Sequence, residues 1–207
     1  MPKISDDQRS DRRRQIAAAA LLCFVRNGFE ATSMGDIIAE SGLSAGAIYL
    51  HYENKQDLIR KVVTDVFVER SNELAELHRR NPLPDPAQVV REFVERIRHA
   101  SGAEIRLHAW SICLRDPELG LLMADYAAER HANYRNYAVT WLERHGVSAA
   151  VAADRADGLA ELLIGLCQGF VAQTALVRGF DPESYLVAIG LVDFSGAGAT
   201  AGKSGSA

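Results

Sequence analysis

The residues best placed to do chemistry are a group of hydrogen-bond donors in the first quarter of the chain. They are the hydroxyls of Ser33, Ser44, Tyr49 and Tyr52, the imidazole of His51 and the ammonium of Lys55. Such groups donate to phosphate oxygens and fix the register of a protein on a nucleic acid duplex. Ala45, Gly46 and Ala47 lie among them and are small enough to let a backbone approach a ligand closely. The group therefore predicts a DNA interface.

The elements that must position these residues are two short helices joined by a tight turn. Ser33, with Asp36 three positions on, is a capping box that predicts a helix over 34–40. Gly42 supplies the turn, and Ser44 caps a second helix over 45–50, whose N-terminal N–H groups and dipole favour a phosphate. This is the helix-turn-helix pattern. In that motif the N-terminal residues of the second helix meet base edges in the major groove.

The stretch resembles the DNA-binding domain of the TetR (tetracycline-repressor) family of bacterial regulators. The matching elements are Gly28-Phe29, Thr32-Ser33-Met34, Ile37, Gly42-Leu43-Ser44, Gly46-Ala47-Ile48-Tyr49, His51-Tyr52 and Asn54-Lys55. The close resemblance covers about residues 10–60, and Ile38 and Ser41 depart from the alanines that are usual there. It implies a homodimeric regulator, most often a repressor, that a small molecule releases from a double-stranded DNA operator.

The rest of the chain predicts helix almost throughout. Asn54 caps a long helix over 55–80, which NPLPDP at 81–86 ends. Further helices are predicted at 86–100, 103–115, 117–145, 149–178 and 182–193, three of them after Asp-Pro pairs. The fold class is therefore all-α, with a three-helix helix-turn-helix domain at 1–54 and a C-terminal helical effector-binding and dimerisation bundle at 55–194. Residues 195–207 are a low-complexity tail, expected to be disordered.

The predicted helix at 149–178 is apolar on nearly every side, which indicates burial on most of its faces. It carries a strip of small residues, Gly158, Gly165, Gly169 and Ala172, which would let another helix approach closely. A monomeric core helix and a dimer interface both fit this pattern. The family resemblance implies that the last two long helices form a four-helix bundle across a two-fold axis, so a homodimer is predicted.

A cavity for a hydrophobic small-molecule effector is also implied by the resemblance. The candidate ligand-binding residues are Phe93, Ile97, Leu107, Trp110, Cys113, Met123, Tyr126, Cys167, Gln168 and Phe170. Apolar and aromatic residues with sparse polar anchors suit a ligand pocket, but they equally suit an ordinary core. Gln168 is the most informative, because an amide within an apolar run needs a partner.

Other functions find little support in the sequence. No phosphate-binding glycine loop, metalloprotease motif or nucleophile signature occurs, so we expect neither an enzyme nor a cofactor. Glu104 and His108 share a helix face near His99, but zinc sites usually need three or four ligands, so no metal is expected. Three widely spaced cysteines indicate buried thiols in a reducing cytoplasm. No uninterrupted apolar run reaches the roughly 20 residues of a membrane span, and the N-terminus lacks a secretory signal.

Charge is the one argument against DNA binding. The chain carries a net charge of −4, and residues 1–66 hold nine basic and nine acidic side chains. Because phosphate neutralisation supplies most non-specific affinity, a neutral domain must depend on local cations such as Arg12, Arg13 and Arg14, and on dimerisation. The alternative hypothesis is a helical ligand- or protein-binding module with little DNA binding.

Overall fold

The computed structural model describes residues 6–98 and 102–194. Within these ranges the protein is all-helical, and no strand occurs. The helices are α1 (Asp6–Asn27), α2 (Met34–Ser41), α3 (Ala45–Tyr49), α4 (Lys55–Ala75), α5 (Pro86–Arg98), α6 (Gly102–Cys113), α7 (Pro117–Arg144), α8 (Ala149–Leu176) and α9 (Pro182–Ile189). The predicted fold class is confirmed. His99 and the predicted tail at 195–207 lie outside the described residues.

Local capping explains why the helices begin where they do. The side chains of Asp85, Asp116 and Asp181 each accept backbone N–H bonds from the first turn of α5, α7 and α9, respectively. These are the three Asp-Pro starts expected from the sequence. The predicted helix over 55–80 is shorter than expected, because α4 ends at Ala75 and a 3₁₀ turn at Leu77–Arg79 follows. Helix α9 ends at Ile189 rather than near 193.

The chain forms two compact units. Unit 1 comprises Met1–Glu69 and Glu104–Met123, and unit 2 comprises Arg70–Ala103 and Ala124–Ala207. Compactness thus divides the chain differently from the predicted boundary at residue 54, since the start of α4 and most of α6 belong with the helix-turn-helix. The predicted division into a DNA-binding and an effector domain concerns function and stays a prediction.

The core of unit 1 is an apolar face of α1 packed against the short helices. Ile16, Ala20, Cys23 and Phe24 are buried on α1, and Ile37 and Ile48 are fully buried on α2 and α3. The Phe24 and Phe29 rings stack with centroids 4.2 Å apart. Thr32 is buried beside them and donates its hydroxyl to the carbonyls of Cys23 and Gly28 at 3.2 and 2.7 Å. The end of α1 is thereby fixed against the start of α2.

In unit 2, α8 packs against α5 and α9 along one stripe of its surface. The buried stripe comprises Ala152, Ala156, Leu159, Ala160, Leu163, Ile164, Cys167, Phe170 and Val171. The opposite side is exposed at Gly158, Glu161, Leu162 and Gly165, so the expected burial on most faces is not found within one chain. All three cysteines are free and buried, as predicted.

Helix α8 is also long and apolar enough to cross a membrane, judged by length and composition alone. Its mean hydropathy reaches 1.5 over an 18-residue window, although charged residues interrupt any continuous apolar run. The core helix of a soluble protein meets the same criterion, and α8 has such a core stripe.

Candidate nucleic-acid interface

Hydrogen bonds at their N-termini fix the two helices of the helix-turn-helix. Ser33 and Asp36 form the predicted capping box: the Asp36 N–H donates to Ser33 Oγ at 3.1 Å, and the Ser33 N–H donates to the Asp36 carboxylate at 2.8 Å. The bonds from Ser33 hold the pKa of Asp36 below its usual value. Ser44 Oγ accepts the Ala47 N–H at 3.3 Å and so caps α3 as predicted. Both serine hydroxyls therefore have structural roles.

The turn between α2 and α3 depends on one glycine and one buried serine. Gly42 has φ +66°, in the left-handed region that side chains rarely adopt. Ser41, which departs from the family pattern, is buried with its hydroxyl donating to the Ile38 carbonyl at 3.0 Å and accepting the Leu43 N–H at 3.2 Å. Gln15 on α1 donates to the Ser41 carbonyl at 2.9 Å. The departure is thus accommodated without an unpaired polar group.

On the solvent-exposed face of α3 the side chains are small at the N-terminus and larger at the C-terminus. Ala45 and Gly46 are exposed and Ala47 is half-buried. A Cβ added at Gly46 would meet nothing within 4 Å, so the approach to this backbone is open. Tyr49 is 51% exposed, and Leu50, which sequence reasoning missed, is 79% exposed. The face can therefore lie against a groove, with Tyr49 and Leu50 at its edge.

The other predicted phosphate contacts have different surroundings. His51 is half-buried beside α3. Lys55 donates its ammonium to the Glu30 carbonyl at 2.8 Å, which holds it near the α1–α2 connection without neutralising its charge. Tyr52 is only 2% exposed and lies in the core, with Lys61 Nζ 5.4 Å from its ring centroid. Tyr52 is therefore removed from the interface; its place four residues after the buried Ile48 was the signal for burial.

Positive charge on the described part of unit 1 is partly paired locally. Arg12 donates to Gln15 at 3.3 Å, and Arg14 forms an ion pair with Asp11. Arg13 is exposed and has no partner among the described residues. Arg12, Arg13 and Arg14 are all exposed and so accessible to a polyanion.

The α6–α7 connection and the start of α7 are joined by ion pairs within unit 1 to α4 and to the α1–α2 connection. Arg60 on α4 contacts Asp116 at 2.8 Å and Glu118 at 2.5 Å, and Arg115 contacts Glu30 at 3.0 Å. The hydrogen bond from Arg60 lowers the pKa of Asp116. A groove of about 950 Å³ lies along this seam, lined in part by Phe29, Lys55, Arg60, His108 and Arg115. These contacts join residues that are far apart in the sequence, and no local sequence pattern predicted them.

The predicted ligand-binding residues divide between the units. Leu107, Trp110, Cys113 and Met123 lie in unit 1, whereas Phe93, Ile97, Tyr126, Cys167, Gln168 and Phe170 lie in unit 2. Ile97, Cys113, Cys167 and Phe170 are buried, and Gln168 is half-buried. The assignment of these ten residues to an effector pocket stays a prediction. Among the described residues, no cluster of His, Cys, Asp or Glu could hold a metal ion.

The class defined by this geometry is an all-helical protein with a helix-turn-helix near its N-terminus. Residues 16–62 match the model of the bacterial regulatory proteins of the tetR family. The predicted resemblance is confirmed, and this segment is a TetR-family helix-turn-helix.

Individual relatives agree with this assignment. The chain is 36% identical over 62 residues to an uncharacterised regulator, YfiR of Bacillus subtilis, covering 30% of each chain. It is 30% identical over 107 residues to the regulator AcrR of Shigella flexneri, covering 51% of this chain and 49% of AcrR. The chain thus matches half or less of the length of these relatives. Salmonella enterica GusR shares the fold, with a TM-score of 0.67 at 18% identity over 91% of this chain and 95% of GusR.

Proposed function

We propose that the protein is a sequence-specific, DNA-binding transcriptional regulator, and in particular a repressor. The observation that carries this proposal is the exposed N-terminal face of α3. Ala45 and Gly46 present an unobstructed backbone next to the half-exposed Tyr49, on the second helix of a TetR-family motif. The resemblance makes regulation of transcription the best-supported function for such a face.

In this proposal α3 enters the major groove and its flanks hold the phosphates. Ala45, Gly46 and Ala47 meet base edges, while Tyr49, His51 and Lys55 contact the backbone. The N-termini of α2 and α3, capped by Ser33 and Ser44, direct backbone N–H groups outward. Because basic and acidic residues balance over 1–66, we expect weak non-specific affinity from a single copy.

In this proposal two copies of the chain form the DNA-binding dimer. We propose that they meet at the exposed surface of α8 and α9. Gly158 and Gly165 on α8 are exposed with nothing within 4 Å of an added Cβ. Leu162 on α8, Val187 on α9 and Leu191 just after α9 are exposed apolar residues. A Cβ added at Gly169, by contrast, would lie only 3.3 Å from the hydroxyl of Tyr185 in the same chain, so that part of the predicted strip already has a neighbour. A two-fold dimer would space two α3 helices about 34–36 Å apart, or farther for a longer operator.

Release from DNA would come from an effector with an apolar body bound in the C-terminal region. An effector can shift the population only if it binds the non-DNA conformation more tightly. Helix α4 continues across residue 69, where the chain passes from one unit to the other, so we expect this helix to transmit the change.

The proposal is tested by fluorescence anisotropy of a labelled DNA duplex of random sequence, titrated with the full chain at low and moderate salt. Binding that weakens linearly with the logarithm of salt concentration would support a DNA-binding regulator. No binding at low salt would favour the alternative, a helical ligand- or protein-binding module. Sedimentation equilibrium of the wild type and of Leu162→Asp tests the dimer: a dimer that the substitution dissociates is expected, and a wild-type monomer would contradict it.

A further inference from the structure

Unit 2 contains an arginine that lacks the counter-ion its neighbours have. The Nε of Arg130 on α7 is shielded from solvent and has no hydrogen-bond partner. Its guanidinium carbon lies 5.4 Å from the ring centroid of Tyr126, one turn earlier on the same face. No described carboxylate forms an ion pair with it, although His131 and Arg135, which follow it on α7, have such partners.

Those partners are carboxylates on α8, and they pair with His131 and Arg135 rather than with Arg130. Arg135 contacts Asp157 at 3.1 Å, and His131 lies 3.4 Å from Glu161. The pairing also shows that α7 and α8 are antiparallel, because a step back along α7 from Arg135 to His131 meets a step forward along α8. The charge of Arg130 instead acts on Tyr134, one turn later on α7.

Other buried polar atoms on α7 and α8 also lack partners. Tyr134 is 3% exposed, and its hydroxyl faces the Cys167 thiol at 3.8 Å, a weak partner. Burial raises the pKa of Tyr134 well above its usual value, so its hydroxyl stays protonated. The side-chain amide of Asn133 and the hydroxyl of Thr174 are buried and unpaired. Thr174 lies two turns after Cys167 on α8. Because α7 and α8 are antiparallel, this direction along α8 corresponds to the direction of Tyr126 along α7.

A partly desolvated cation without a counter-ion is costly, and so are buried polar groups without partners. Both costs disappear if a ligand brings an acidic group into this region. We propose that α7 and α8 bind an anionic amphiphile, whose acidic head pairs with Arg130 and whose apolar body lies beside the Tyr126 ring. This names the chemical class of the effector and so rests on the proposed effector site.

The test compares two fluorescent probes of nearly the same aromatic shape on the full chain. One is 8-anilinonaphthalene-1-sulfonate, which carries a sulfonate, and the other is the uncharged N-phenyl-1-naphthylamine. We expect the anionic probe to bind more tightly. Arg130→Gln should weaken it by about tenfold to a hundredfold, the range for one charge-assisted hydrogen-bonded pair, and should leave the uncharged probe unchanged. Arg144→Gln, at an exposed arginine on the same helix, is the matched control and should change neither.

Equal affinity for the two probes, or an unchanged affinity of Arg130→Gln for the sulfonate, would overturn the proposal. If Arg130→Gln does not fold, Arg130→Lys keeps the charge without the planar fork and should bind the sulfonate with intermediate affinity; wild-type affinity would contradict the assignment. With the wild type alone, decanoate should raise the melting temperature and displace the sulfonate probe more strongly than decanol does, and no difference between them would also overturn it. None of these measurements uses DNA, so a failure here is distinct from a failure to regulate transcription.

Discussion

Arg60 on α4 donates its Nε–H to Oδ2 of Asp116 at 2.8 Å, while Oδ1 of the same aspartate accepts the N–H groups of Glu118 and Leu119 at the start of α7. One carboxylate thus both caps α7 and fixes it to α4 within unit 1. The two interactions use different oxygens, so substitutions can separate them.

Asp116→Ala removes the cap and the ion pair, whereas Asp116→Asn retains an oxygen for the cap. We expect Asp116→Ala to lower the free energy of unfolding by about 1 kcal/mol or more, since a lost N-cap alone costs that much. Asp116→Asn should have a smaller effect that fades as salt is added, because the partly exposed pair is screened. Urea unfolding at two salt concentrations checks this. An Asp116→Asn variant as unstable as Asp116→Ala at high salt would show that the pair, not the cap, stabilises this junction.

Two serines that precede helices allow a sharper comparison, because only one of them caps its helix with a side-chain hydrogen bond. Ser33 forms a capping box with Asp36, whereas Ser148 precedes α8 without any side-chain cap bond. Ser33→Ala should therefore destabilise the protein by about 1 kcal/mol, and Ser148→Ala by only a few tenths. Thermal unfolding of the two variants decides the matter, and equal losses would contradict the assigned hydrogen bonds.

Gly46→Ala separates folding from DNA binding. The position is helical, exposed and open, so alanine should leave stability unchanged or raise it by up to about 0.5–1 kcal/mol. If α3 lies in the major groove, the added methyl intrudes where the backbone comes closest, and we expect affinity for the operator to fall by about tenfold, near 1.4 kcal/mol. Ser148→Ala, before α8 and outside the helix-turn-helix, is the control and should bind like the wild type. Normal binding by Gly46→Ala would move the contact away from the start of α3.

Substitutions of Lys55 and Tyr49 should both weaken DNA binding, but they should differ in how the affinity then depends on salt. Lys55→Ala removes a cation, so it should reduce the slope of log affinity against log salt by about one unit on every duplex. Tyr49→Phe removes a hydroxyl without a charge, so it should weaken binding to all sequences with the slope unchanged. Anisotropy titrations over a range of salt concentrations measure both. An unchanged slope for Lys55→Ala would show that its bond to the Glu30 carbonyl is its whole role.

Much of this architecture was predictable because its signals are local. The Asp-Pro starts, the Ser33–Asp36 box and the turn glycine at Gly42 each act over a few residues, and each was found where expected. The burial of Tyr52 was missed, although its spacing from Ile48 placed both on one face of the chain. Sequence-distant relationships had no such signal. The Arg60–Asp116 pair joins residues 56 apart, and the lack of a counter-ion at Arg130 appears only once α8 is placed beside α7.

The central claim is that α3 recognises a specific DNA sequence, and a footprint on the DNA upstream of the protein's own gene tests it most directly. The wild type should protect a palindromic segment, and Tyr49→Phe should lose that protection at the same protein concentration while remaining folded. Failure of the wild type to protect any segment at low salt, or equal protection by Tyr49→Phe and Gly46→Ala, would contradict the assignment of α3 as the recognition helix.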